Sequence, residues 1–115
     1  MEIRLVDKPI TRQLLLEIAQ EQFGDMVKAV VDIQKSLMAI GGGLHVDEES
    51  YLLERGSKQD NLWGINIHPN RPTLEMVEFD SVINIRPGQD NPSRYVEDIS
   101  VRERVIAIVG KLVQQ

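Results

Sequence analysis

The chain has 115 residues, with thirteen Lys and Arg against eighteen Asp and Glu and a hydrophobic fraction of 42%, so it can fill one ordinary core and reads as a single domain. It has no cysteine, which excludes disulfides, thiolate catalysis and thiolate metal centres and fits a reducing compartment. A net charge of −5, no basic block and only two Phe, two Tyr and one Trp argue against nucleic-acid binding, which rests on phosphate neutralisation and base stacking.

The start, MEIRLVDKPI, carries charges every second or third residue and reads as neither a signal peptide nor a membrane anchor. A cytoplasmic protein without membrane contact is the expectation. EIRLV (2–6) predicts a short strand, and Pro9 keeps Lys8 out of the helical region. Thr11 caps a helix, RQLLLEIAQEQF, whose Leu14, Leu15, Ile18, Ala19 and Phe23 form one stripe; Gly24 ends it. MVKAVVDI (26–33) alternates, QKS turns, and LMAIGG (37–42) returns as a hairpin. Asp47 is placed to cap a short helix, EESYLLER, closed by Gly56.

LWGINIH (62–68) predicts a strand with Trp63, Ile65 and Ile67 on one face and Gly64, Asn66 and His68 on the other. After PNRPTL, the stretch EMVEFDSVINIR (75–86) alternates throughout and predicts a long strand. Residues 87–99 predict a loop of unusual length, either functional or mobile. Ser100 with Glu103 forms a capping box before a terminal helix with Val101, Val105, Ile108, Val109 and Leu112 on one face. The order β-α-β-β-α-β-β-α implies an α+β domain in two layers, a mostly antiparallel sheet of four to five strands with three helices.

The triplet Ile-Asn-Ile occurs twice, ending in His68-Pro69 and in Arg86-Pro87. If the two segments pair as a hairpin, His68 and Arg86 lie at opposite ends, roughly 20 Å apart. The polar face would then carry Lys28, Asp32, Asn66, His68, Asp80, Asn84 and Arg86. It reads either as a solvated outer face or as a cleft where Arg86 and Arg94 hold an anion while Asn66, Asn84 and His68 position it.

The glycine run GGGLHVDEE (41–49) lacks the Lys-Ser/Thr of a phosphate loop, and its three carboxylates would repel a phosphate. His45 with Asp47 and Glu48 is a thin ligand supply, so no metal and no cofactor are expected. No serine sits in a G-x-S-x-G elbow, and Ser81 falls among apolar positions. Trp63, Phe79 and Tyr51 read as core anchors. Val30, Met38, Ile40 and Val82 would gather on the outer face, a patch that a second copy of the chain could cover.

Taken together, FGDMVKAVVDI, LMAIGGGLHVD, GSKQDNLWGINI and SVINIRP resemble a family of small prokaryotic proteins known only as a domain of unknown function, over about residues 3 to 113. The resemblance implies a stand-alone bacterial or archaeal cytoplasmic domain and brings no activity or site residue with it. Three functional expectations follow. The first is a non-enzymatic binding or interaction module, homodimeric or joined to another protein. The second is a small enzyme or binding protein for a phosphate- or carboxylate-bearing metabolite, using Asn66, His68, Asn84, Arg86 and Arg94. The third is a toxin–antitoxin or regulatory partner.

Overall fold

The alternation in 26–33 organises the whole molecule, which the computed structural model describes over residues 2–115. Strand β3 (Val27–Asp32) lies between β4 (Leu37–Ile40) and β5 (Leu62–Ile67), antiparallel to both. Strands β1 (Arg4–Val6) and β6 (Val77–Glu78) complete a five-stranded sheet in the order β1-β4-β3-β5-β6. All its pairs are antiparallel. Strand β1 runs parallel to β3, with β4 inserted between them, so the first strand–helix–strand unit crosses over one strand. A separate parallel pair, β2 (Ile10–Thr11) with β7 (Val113–Gln114), joins the two ends of the chain.

Odd residues of β3 supply the main core. Ala29 lies between Ile40 and Ile65, and Val31 between Met38 and Trp63. Helices α1 (Arg12–Glu21) and α3 (Ile99–Leu112) cover this face with Leu15, Ile18, Ala19, Val105, Val109 and Leu112. Thr11 caps α1 as expected, its hydroxyl accepting from the Leu14 amide at 3.1 Å. A radius of gyration of 12.8 Å is what one domain of this length gives, about 13 Å. Among the described residues no helix is long and apolar enough to cross a membrane.

The opposite face is not bare. Val30, Ala39 and Leu62 are buried there beneath Leu52 of α2 (His45–Glu54), so a short third layer adds to the expected two. Met38 and Ile40 belong to the main core. Of the four residues expected to form an outer apolar patch, only Val82 is exposed.

Two helix starts differ from the pattern. Helix α2 begins at His45 after Leu44, which places Asp47 inside the first turn. Helix α3 is capped by Asp98, whose carboxylate accepts from both the Ser100 amide (2.8 Å) and the Ser100 hydroxyl (2.7 Å). The carboxylate accepts two hydrogen bonds there and so displaces Ser100 from the cap.

The largest correction concerns 75–86. Only Val77 and Glu78 pair with β5; the chain then leaves the sheet, and Val82–Asn84 forms a 3-10 turn. Gly64 makes this possible, because a Cβ on it would lie 2.6 Å from the Ser81 Cβ and 3.0 Å from Ile83. The Asn84 carboxamide then replaces the missing strand neighbour. It accepts from the Gly64 amide at 2.8 Å and donates to the Gly64 carbonyl at 2.9 Å. The long loop is ordered around Asn91, whose amide donates to the carbonyls of Asn84 (2.8 Å), Ser93 (3.2 Å) and Tyr95 (2.7 Å).

Candidate functional site

Because 80–83 folds back against β5, a cleft of about 470 Å³ opens between the outer face of β3 and β5, the start of α2 and this segment. Its floor follows from period two. Lys28 and Asn66 are cross-strand partners and project from the same face. Its rim is apolar: Leu44, Val46 and Val82 line the cleft and are 55%, 49% and 61% exposed.

His45 enters as the first residue of α2. Its Nε2 lies 2.7 Å from the Ile65 carbonyl. A carbonyl only accepts, so the neutral ring carries its proton on Nε2 and keeps Nδ1 as an acceptor. Burial holds the pKa below the ordinary histidine value, and the charges of Lys28 and Arg94 push the same way against the Ile65 bond and Asp80. At neutral pH His45 is therefore uncharged.

The Asn66 amide donates to Glu78 Oε1 at 3.0 Å and to the Asp80 carbonyl at 3.3 Å. Both partners are acceptors, so the orientation of the carboxamide is set and Oδ1 faces away from them. Among the described residues that oxygen has no hydrogen-bond partner, although Asn66 is only 5% exposed. The Asn66 bond, then that of His68, holds Glu78 below the usual carboxylate range against the opposing effect of burial. On the far wall Arg94 donates from Nε to Asp80 Oδ1 at 2.6 Å, with both side chains half exposed. Lys28 is half-buried and stands 5.1 Å from the centre of the Phe23 ring. Among the described residues its ammonium makes no ion pair.

Behind the cleft, Glu48 is fully buried and accepts from the Gly42 amide at 2.9 Å. A Cβ on Gly42 would lie 2.8 Å from the Glu48 Cγ, so glycine is needed at this position. Burial pushes the Glu48 carboxyl up to about 9, and it stays protonated at neutral pH. His45 and Glu48 thus turn to different backbone partners, and among the described residues no three His, Asp or Glu side chains are placed to share a metal ion.

Of the five residues expected to bind, Asn66 and Arg94 line the cleft. His68 lies one row away and reaches Glu78 at 3.2 Å. Asn84 is buried in its exchange with Gly64. Arg86 donates from Nε to Ile83 (3.0 Å), from Nη1 to Gln59 (2.8 Å) and from Nη2 to the Leu62 carbonyl. Its guanidinium carbon lies 4.6 Å from the centre of the Trp63 ring. Each of its nitrogens serves the scaffold. Sequence reasoning placed Lys28 and Asp80 on the polar face and weighed His45 only as a metal ligand, so none of the three stood among the expected binding residues. Of the apolar rim it named Val82 alone, and the pairing of 27–32 with 62–67 sets Lys28 directly beside Asn66.

The next concavity, about 390 Å³, carries Asp60, Asp90, Glu97 and Asp98 and would repel an anion. No curated protein and no solved structure matches the chain. Residues 4–112 match the profile of a family described as protein of unknown function, DUF5674, and the chain belongs to that family.

Proposed function

We propose that this protein binds a small ligand with a carboxylate or phosphate group and an apolar portion in the cleft beside Lys28. The reading rests on a half-buried ammonium without a counter-ion among the described residues, set in a concave, partly apolar wall. A charge pair formed there is screened less than one in open water. Among the described residues the Arg94 side chain uses only its Nε, on Asp80, so both terminal nitrogens remain for a carboxylate or phosphate. Binding rather than turnover is the simpler reading, since Ser81 Oγ accepts from the Ile83 amide at 3.3 Å and is not hydrogen-bonded to His45. A prokaryotic, cytoplasmic setting belongs to the same proposal and rests on the resemblance and the cysteine-free composition.

Thermal denaturation with carboxylates and phosphates, with and without apolar bodies, tests it. A ligand at about a hundred times its Kd stabilises by about 2.7 kcal/mol, a rise of roughly 10 °C. The rise is expected to vanish in Lys28→Met. No shift with any compound that carries either group, or an equal shift in that variant, refutes the reading.

The exposed rim of Leu44, Val46 and Val82 favours a second reading, a homodimer that covers the mouth of the cleft. Sedimentation showing only monomer at micromolar concentration ends it.

A further inference from the structure

We propose that the ligand is an α-amino acid with an apolar side chain, a zwitterion rather than a simple anion. This rests on the cleft being the binding site. Its wall carries charges of both signs: Lys28 and Arg94 are cationic, and Asp80 is a carboxylate. It also offers acceptors in excess. Asn66 Oδ1 has no hydrogen-bond partner among the described residues. Asp80 Oδ1 is taken by Arg94, while its other oxygen makes no hydrogen bond among the described residues. His45 has its Nε2 on Ile65, which leaves Nδ1 open.

These groups are neighbours. Asn66 donates to the backbone of Asp80 at 3.3 Å, and His45 lies within electrostatic range of Asp80, Lys28 and Arg94. A plain carboxylate would bring only acceptors to this wall, and a carboxylate or phosphate alike would meet Asp80 with like charge and without an ammonium to offset it. An ammonium brings three donors and a positive charge. With the carboxylate on Lys28 and Arg94 and the ammonium toward Asp80 and Asn66, the ligand side chain lies along Leu44, Val46 and Val82. About 470 Å³ is near the small end of ligand clefts, which suits one amino acid better than a peptide or nucleotide.

Calorimetric titration separates the charges. The probes are leucine, isoleucine, valine, methionine and phenylalanine, the deaminated analogue isocaproate, the decarboxylated analogue isoamylamine, and inorganic phosphate. The expected result is that at least one amino acid binds at least about tenfold more tightly than either single-charge analogue or phosphate. Asp80→Asn, a half-exposed change, should weaken that amino acid about fivefold or more and leave isocaproate unchanged or tighter. Isocaproate or phosphate binding as tightly as every amino acid overturns the zwitterion and leaves the anion cleft standing. Isoamylamine matching the amino acids, or an Asp80→Asn protein that loses both ligands equally, also overturns it. If neither these probes nor any other anion binds, the underlying reading falls as well.

Discussion

In Ile65-Asn66-Ile67 both isoleucines are fully buried and the asparagine lines the cleft. In Ile83-Asn84-Ile85 the pattern inverts: Asn84 is fully buried and Ile85 is 44% exposed. Local propensity is the same in both, so it cannot be the cause. The first triplet has strand β3 along its whole length. The second lies against β5 without backbone pairing, because β6 ends after two residues, and a side-chain amide supplies the hydrogen bonds a neighbouring backbone would have made. Strand or turn is decided here by what lies alongside.

Asn84→Ala should have the largest effect. It removes bonds to the Gly64 amide (2.8 Å), the Gly64 carbonyl (2.9 Å) and the Arg94 carbonyl (3.0 Å). Stranding buried backbone groups costs about 1–3 kcal/mol each, for a total on the order of 5 kcal/mol and a midpoint roughly 20 °C lower. Asn66→Ala should cost only about 1 kcal/mol, because one of its partners, Glu78, is half exposed and the change also removes an unpartnered oxygen. Urea denaturation of both variants tests the comparison; equal losses would mean that the two asparagines do the same structural job.

Glu48 sharpens the contrast. Like Asn84 it meets a buried glycine amide with a side-chain oxygen, at 2.9 Å from Gly42, but its group can ionise. Burial raises its pKa from 4.5 to about 9, so the folded state keeps a proton that the unfolded chain releases above about 4.5. This contribution to stability is complete below about 4.5, falls by about 1.4 kcal/mol per pH unit above it, and is gone beyond about 9. At pH 7 the loss is roughly 3 kcal/mol. Glu48→Gln keeps the acceptor and removes the titration. It should therefore be more stable than the parent at pH 7, by up to that amount, and no more stable near pH 4.5. Parallel stability–pH curves for the two proteins would show that Glu48 titrates normally in the fold.

The same contrast explains what the sequence made legible. Parity in 26–33 and 62–68 placed Lys28 and Asn66 on one face because those strands are paired along their length. Val77, Phe79, Ser81, Ile83 and Ile85 alternate equally well, yet parity stops meaning anything where pairing stops. That point is set by the gap over Gly64 and the reach of Asn84, twenty residues away. Asn84 and Arg86 were therefore expected on the same polar face as Asn66 and instead hold the scaffold. His45 was hidden for a related reason: its anchor, the Ile65 carbonyl, is also twenty residues distant, and no local pattern announces it.

Arg94→Ala should have the smallest effect on stability. Arg86 places its guanidinium on the carbonyls of Ile83, Gln59 and Leu62, whereas the side chain of Arg94 makes one half-exposed pair with Asp80. Such solvent-exposed pairs contribute little to stability and weaken with salt. The backbone bond from the Ser81 amide to the Arg94 carbonyl, 3.1 Å, survives the substitution and still holds the cleft wall. The variant should unfold at nearly the same urea concentration as the parent while losing affinity for the anionic end of any ligand. If Arg94→Ala instead unfolds as readily as Asn84→Ala, its side chain is part of the scaffold, and the two terminal nitrogens assigned to a ligand are not available to one.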